Sequence, residues 1–257
     1  MKQYNNEDIV ISLTSWTKRI GTAYKTIDSL LKWCGYCHIV LVLAEEEFPN
    51  KEADLPDSIK NYLDNDKIEL LWVDKNYITY KKTFFTAIKY PTAIIVSADD
   101  DKVYTEDFVS ELYGAWKTNK NAVVSYVSSV PIARTYKCTC CQYGEATLYP
   151  PNYYGTTAID LLEQDDIFDI IKKYPNDDIF NIALRSALNR TDFILINRSH
   201  SEIAVNHDEV EVITSRRNMK DMIPGSDEYN ATINEINNEY FSIINEVEDY
   251  IKSKLKV

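Results

Sequence analysis

AIIVSADDDKVY, Ala93 to Tyr104, is the stretch on which the reading of this chain turns. Ile94, Ile95 and Val96 form a short apolar run rich in β-branched residues, which reads as a buried strand of a parallel sheet. Ser97 and Ala98 close the run, and Asp99, Asp100 and Asp101 follow directly. Carboxylates at the C-terminal end of such a strand stand where open α/β sheets bind ligands. Three adjacent anions repel one another unless a cation lies among them. With no His or Cys nearby, the oxygen donors suit Mg²⁺ or Mn²⁺. The same carboxylates also read as a solvated acidic turn before a helix start at Thr105-Glu106-Asp107.

The chain before this stretch alternates strand and helix. Asp8 to Leu13 (DIVISL), His38 to Leu43 (HIVLVL) and Ile68 to Val73 (IELLWV) are apolar strands. Tyr24, Ile27, Leu30, Leu31 and Trp33 follow a helical spacing. Ser58 to Leu63 is a short helix, and another runs from Tyr80 to about Lys89, where Pro91 ends it. The alternation predicts an α/β fold with a mostly parallel sheet flanked by helices. No G-x-G-x-x-G and no P-loop is present, which excludes the usual dinucleotide and NTPase signatures. The first strand runs into Thr14, Ser15, Trp16, Thr17, Lys18 and Arg19. These hydroxyls, indole and cations can hold a nucleotide, or make an ordinary strand–helix turn with snorkelling cations. Lys81 and Lys82 open a helix at the end where its dipole disfavours cations. They point to a nearby anion such as a diphosphate, or to a solvated helix start.

Beyond the aspartates, Phe108, Leu112 and Trp116 mark a helix, and Ala122 to Val127 a strand. Val130 to Tyr154 has no clean periodicity, and a stretch of that length often forms a lid or binding loop. Its aromatics, including Tyr149 and Tyr153, either form a stacking platform for a sugar or pack the loop onto the sheet. Asp165 to Tyr174 is helical, and Asp177-Asp178 opens a further helix running to about Leu188. Either aspartate can act as a general base on a hydroxyl, or serve as a plain N-cap. Phe193 to Ile196 is a strand. His207, one of three histidines, either completes a carboxylate metal site or is a lone surface side chain. Asp227 to Leu255 is a long helix whose face Ile233, Ile236, Tyr240, Ile244, Val247, Ile251 and Leu255 docks onto the domain or onto a second copy.

The 257 residues divide into one large domain over 1–226 and a helical extension over 227–257. A net charge of −12 argues against nucleic acid as a partner. Nineteen tyrosines suit flat polar ligands such as sugars, though a biased genome gives the same count. No signal-peptide pattern or spanning segment is evident, so the expected location is cytoplasmic. The sequons at Asn189, Asn197 and Asn230 then carry no meaning. The lysine-tipped C-terminal helix offers a peripheral membrane contact, opposed by a polar face that is mostly acidic. The five cysteines, Cys34, Cys37, Cys138, Cys140 and Cys141, read as free thiols or, for four of them, as an irregular zinc set.

Five segments in order resemble the GT-A fold glycosyltransferases, in particular bacterial family-2-like enzymes of capsule and lipopolysaccharide synthesis. They are ISLTSWTKRI (11–20), YKKTFFTAIKYP (80–91), SADDDKVYTEDF (97–108), YGEATLYPP (143–151) and NDDIF (176–180). The likeness covers about residues 8 to 196. It implies a nucleotide-sugar donor held by Thr14, Ser15, Trp16, Arg19, Lys81, Lys82, Asp99 and Asp100. It implies Mn²⁺ or Mg²⁺ on the D-x-D group Asp99, Asp100 and Asp101, with Asp99 and Asp101 as the metal ligands, and a glycan or lipid-linked acceptor near Gly144, Tyr149 and Tyr153; His207, beyond the likeness, is a candidate third ligand from its place after a strand alone. Asp178, or its neighbour Asp177, would be the base of an inverting transfer. Asn176 and Glu145 depart from the residues common in relatives. Asp99 to Val103 also fits the D-x-D-x-[T/V] motif of haloacid-dehalogenase-like phosphatases, although that motif usually follows a domain's first strand. A non-catalytic carbohydrate- or metal-binding protein is a further alternative. Val103 and Tyr104 rule out an EF-hand, which needs a ligand and a glycine there.

Overall fold

The strand runs legible in the sequence assemble, in a computed structural model, into one seven-stranded sheet of order β3-β2-β1-β4-β7-β6-β8. The structure describes residues 7–34, 36–126, 146–175, 177–188, 192–196, 201–203 and 226–256. The strands are β1 Ile9–Thr14, β2 His38–Ala44, β3 Ile68–Val73, β4 Ile94–Ala98, β6 Val123–Tyr126, β7 Ala146–Tyr149 and β8 Phe193–Ile196. A separate ribbon pairs β5 (Lys102–Tyr104) with β9 (Ser201–Ile203). All pairs in the large sheet are parallel except those that β7 makes with β4 and β6.

Two apolar layers sandwich the sheet, which is why its inner strands read as unbroken apolar runs. On one face Ile11, Leu13, Ile39, Leu41, Ile94 and Val96 meet α1 (Tyr24–Cys34) and α4 (Phe108–Trp116), with α2 (Asp57–Lys60) beside them. On the other face Val10, Val40, Val42 and Ile95 meet five helices. These are α3 (Lys81–Lys89), α5 (Thr157–Leu162), α6 (Ile167–Lys173), α7 (Asp177–Ala187) and α8 (Asp227–Leu255). Odd and even positions of each strand divide between the layers, as the period of two requires.

The later half of α8 belongs to this core. Ile244, Val247 and Ile251 are buried in the layer that also holds Phe180 and Leu184 of α7. Tyr250 donates to Asp166 at 2.9 Å, Lys254 pairs with the same carboxylate at 2.7 Å, and Lys173 pairs with Glu246 at 2.5 Å. Phe241, nearer the helix start, is 40% exposed. The side chains of Ile233, Ile236 and Tyr240 lie outside the described residues. Among the described residues no helix is long and apolar enough to cross a membrane.

The topology fixes where a ligand can sit. The chain runs outward from β1 to β2 and β3, then returns through α3 to β4 on the other side of β1. The C-terminal ends of β1 and β4 therefore flank the switch point of the sheet, the place where open α/β sheets bind ligands. β7 enters from the same edge, with Ala146 opposite Ala98. Tyr126 ends β6 at that edge too.

At the opposite edge, Glu69 of β3 accepts hydrogen bonds from Tyr90 and Lys89, and lies 3.1 Å from His38 Nε2. Burial alone would raise its carboxyl, but the bonds from His38, Lys89 and Tyr90 outweigh burial and hold it at about 2. A group depressed below the ordinary glutamate value of 4.5 adds stability that is full above that value and is lost as pH falls towards 2. Glu69→Gln is therefore expected to lower stability at pH 7 by about 1–3 kcal/mol. The gap to wild type should narrow between pH 4.5 and 2, read by urea denaturation at pH 7, 4 and 3; a gap independent of pH would remove the carboxylate as its cause.

Candidate functional site

Past the end of β4 the first two aspartates face opposite sides of the sheet, and the third joins the second in the turn. Asp99 turns towards α3, where Lys82 Nζ donates to its Oδ1 at 2.9 Å. Asp100 turns towards the β1–α1 loop, where Ser15 Oγ donates to Oδ2 at 2.5 Å and Arg19 Nη1 to Oδ1 at 2.8 Å. Asp101 lies 3.5 Å from the same Arg19 nitrogen. The side chain of Asp99 is 28% exposed, against 6% and 7% for Asp100 and Asp101. Burial pushes the Asp100 carboxyl above its ordinary range, against the pull of Arg19 and Ser15.

Each partner is held by local structure. The β1–α1 loop turns on Trp16, whose carbonyl accepts from the backbone N–H of Arg19 at 2.9 Å and of Ile20 at 2.8 Å. Thr14 spends its hydroxyl on the Val42 carbonyl at 2.7 Å, locking the end of β1 to β2. Ser12, inside β1, donates to the Lys82 carbonyl at 2.5 Å and lies 2.7 Å from the Thr86 hydroxyl. That bond sets the start of α3 against the sheet and so places Lys82. The turn itself is pinned by Tyr104, whose hydroxyl accepts from the Asp99 N–H at 2.8 Å. Tyr104 is tied in turn to α1, its N–H donating to Ser29 Oγ at 3.0 Å.

The structure thus brings together Thr14, Ser15, Trp16, Arg19, Lys82 and the three aspartates. It treats Lys81 differently from the phosphate ligand expected of it. Lys81 is 2% exposed, and its Nζ donates to Asn76 at 2.9 Å and Glu47 at 3.3 Å. Burial lowers the Lys81 ammonium and raises the Glu47 carboxyl from their ordinary values. Lys81 clamps the connections after β2 and β3 to α3. Tyr149 and Tyr153 also depart from their expected role. Of the two uses open to these aromatics, the structure shows the packing one: with Tyr154 they are buried and in mutual ring contact at 5.0–5.7 Å.

Asp177 and Asp178 form the first turn of α7; their side chains lie outside the described residues. The backbone just before them is anchored beside Lys81 and Lys82. Thr79 donates to the Pro175 carbonyl at 2.9 Å and Tyr80 to the Tyr174 carbonyl at 2.6 Å. Further along α7, buried Asn181 accepts from Tyr154 at 2.6 Å, while its Nδ2 makes no hydrogen bond among the described residues. Ser12, Tyr104, Glu47, Asn76 and Asn181 are further residues that build the site, and no motif marks them in the sequence. Ser12 alone carried a signal, as a hydroxyl inside an apolar strand. His207 and Gly144 lie outside the described residues, as do Cys138, Cys140 and Cys141. β9 ends at Ile203, opposite Lys102 and four residues before His207. Cys34 and Cys37 are buried free thiols.

Among the described residues no three His, Cys, Asp or Glu side chains gather into a metal-binding group. The donor set still suits a hard divalent ion. Three carboxylates face two cations, Arg19 and Lys82, which leaves negative charge in excess, and Asp99 is open to solvent. Asp99 and Asp101 are the residues that would hold such an ion, with its remaining ligands coming from elsewhere. Arg19 Nε and Trp16 Nε1 are buried without a hydrogen-bond acceptor among the described residues. A buried donor left unpaired costs about 1–3 kcal/mol, so this loop favours an acceptor-rich ligand.

No protein-family model and no curated protein matches the sequence. Solved structures do match. A Bacillus anthracis protein described as a glucose-1-phosphate thymidylyltransferase, in complex with sucrose, aligns with a TM-score of 0.52 and 11% identity over 79% of this chain and 92% of that one. Two further structures align with TM-scores below 0.5. The 4-diphosphocytidyl-2C-methyl-D-erythritol synthase of Anaerococcus prevotii does so at 0.47, with 12% identity over 80% of this chain and 94% of that one. The mannosyltransferase PcManGT of Pyrobaculum calidifontis, in complex with GDP-Man and Mn²⁺, does so at 0.48, with 12% identity over 76% of this chain and 55% of that one. At such identities the likeness is one of fold alone: a mostly parallel α/β sheet flanked by helices.

The geometry separates two aspartates that sequence treats alike. Asp100→Asn, which breaks a buried tie, is expected to cost about 2 kcal/mol or more. Asp99→Asn, which loosens a partly exposed pair, should cost about 1 kcal/mol or less. Urea denaturation of both variants checks this, and equal losses would contradict the assignment of Asp100 as the tie.

Proposed function

We propose that the protein is a metal-dependent glycosyltransferase that moves a sugar from a nucleoside-diphosphate donor to a hydroxyl of a glycan or lipid-linked acceptor. The observation that carries this reading is the Asp99–Asp101 turn with Arg19 and Lys82 at the switch point of the mostly parallel sheet, in a fold like that of the Bacillus anthracis structure. A diphosphate needs cations on its oxygens, and a divalent ion needs carboxylates, and both kinds of group stand within one turn here. Mn²⁺ or Mg²⁺ bound there would stabilise charge on the departing diphosphate. Lys82 and Arg19 would orient the diphosphate, and Thr14, Ser15 and Trp16, on the same loop as Arg19, would face the nucleoside.

In the transfer an acceptor oxygen attacks the anomeric carbon. The bond from that carbon to the diphosphate oxygen breaks, and the nucleoside diphosphate leaves with the electron pair. The acceptor proton passes to a carboxylate, which we assign to Asp178, with inversion as the outcome. Support for Asp178 is the anchoring of residues 174 and 175 next to Lys81 and Lys82. His207 remains a proposed third ligand and Gly144 a proposed acceptor contact. The reading carries with it a cytoplasmic location with peripheral membrane contact, no nucleic-acid partner, and self-association through the exposed part of α8.

Nucleotidyl transfer to a sugar phosphate is a second reading, favoured by the fold likeness to the thymidylyltransferase. A thermal-shift screen separates the two. Nucleotide sugars and nucleoside diphosphates should raise the melting temperature only with Mn²⁺ under the first reading, by mass action on the native state. A shift with a nucleoside triphosphate and sugar 1-phosphate, and none with nucleotide sugars, would favour the second. Asp178→Asn is expected to keep metal-dependent donor binding and lose transfer by about 10²–10⁴-fold. Undiminished transfer would remove Asp178 as the base.

A further inference from the structure

The two cations at the aspartate turn are held differently. Lys82 reaches the exposed carboxylate from α3, whereas Arg19 lies between the two buried ones, 2.8 Å from Asp100 and 3.5 Å from Asp101. The guanidinium therefore stands beside Asp101, where a divalent ion would also have to come. Its Nε, buried and without an acceptor among the described residues, shows that Asp100 and Asp101 do not use its whole donor set. A guanidinium offers five N–H donors in a fork that matches phosphate oxygens, so a second anionic partner suits Arg19.

We propose that Arg19 is the resident counter-cation of the Asp99–Asp101 turn and makes divalent-ion binding conditional on the diphosphate. The proposal rests on the transferase reading above. An ion arriving alone meets a positive guanidinium already fixed beside its carboxylate, at a depth where salt screens little. Driving Arg19 away would leave Asp100 buried without its cation, which is strongly unfavourable. A diphosphate changes the balance. It brings enough negative charge to satisfy Arg19 and the ion together, and its oxygens reach the donors that the aspartates leave unused. Arg19 thereby sets an order of assembly: diphosphate and ion enter together, and the turn stays unloaded when only the ion is present.

Mn²⁺ titration of the full chain, followed by the electron paramagnetic resonance of free Mn²⁺, reads this without reference to activity. Wild-type protein is titrated alone and with UDP, GDP, CDP, ADP or dTDP. Mn²⁺ binding is expected to tighten about tenfold or more with at least one of these. Arg19→Gln is expected to bind Mn²⁺ without nucleotide about tenfold or more tightly than wild type. If that variant fails to fold, Arg19→Gln with Asp100→Asn removes both halves of the buried pair, and it should also bind Mn²⁺ alone more tightly than wild type. Wild-type protein that takes up Mn²⁺ equally well with and without nucleotide would overturn the proposal and leave the transferase reading standing. Folded variants with wild-type Mn²⁺ affinity would do the same. Wild-type protein that takes up no Mn²⁺ with any of the five nucleotides would overturn both.

Discussion

A carboxylate buried at a strand end must be paired, and the pairing of Asp100 with Arg19 and Ser15 is the constraint on which the site depends. Asp100 lies in the turn just after β4, and its partners lie on the loop that leaves β1, the neighbouring parallel strand. Backbone pairing alone would align the two strands but leave the loop free to swing. The Asp100 tie closes the loop over the strand ends and gives Trp16, Lys18 and Arg19 a fixed address. Asp101 then falls within reach of the same guanidinium, so one arginine organises two carboxylates.

The sheet was legible because its parallel strands are covered on both faces and so appear as continuous apolar runs. DIVISL, HIVLVL and AIIVS all proved to be strands β1, β2 and β4. β7 was not legible. Its four residues, ATLY, include Thr147, fully buried, whose hydroxyl donates to Ser125 at 3.0 Å on the neighbouring strand. A polar residue satisfied across strands looks, in sequence alone, like part of a loop. The three-residue strands β5 and β9 are too short for any periodicity, and only their pairing defines them.

In the site, the aspartate cluster was legible as a cluster, but the division of labour within it was not. That division follows from the period of two. Ile95 and Ser97 precede Asp99 on the α3 side, and Ile94, Val96 and Ala98 precede Asp100 on the side of α1 and α4, whereas Asp101, in the turn, breaks the alternation and joins Asp100 at Arg19. The pattern carried past the strand end places Asp99 and Asp100, but not Asp101, whose position comes from the turn. Tyr149 and Tyr153 show the opposite limit. Their burial comes from helices docked over them, which no local pattern encodes.

Lys81 and Lys82 show how finely the charges are sorted. Adjacent on a helix, they point about 100° apart. One enters the core beside Glu47, and the other reaches Asp99. Both sit at a helix start, where the dipole opposes them, and both are tolerated because each has a carboxylate. Lys81 and Glu47 cancel, and so contribute placement rather than charge. What remains at the strand ends is Arg19 and Lys82 against three aspartates. A site with that remainder attracts a cation only weakly and would repel a lone diphosphate at Asp99. The two together present no net mismatch, since the ion meets the excess carboxylate and the diphosphate meets Arg19 and Lys82. The composition of the turn is thus complementary to a metal–diphosphate pair more than to either member, and the buried Asp100 tie is what keeps the arrangement from relaxing.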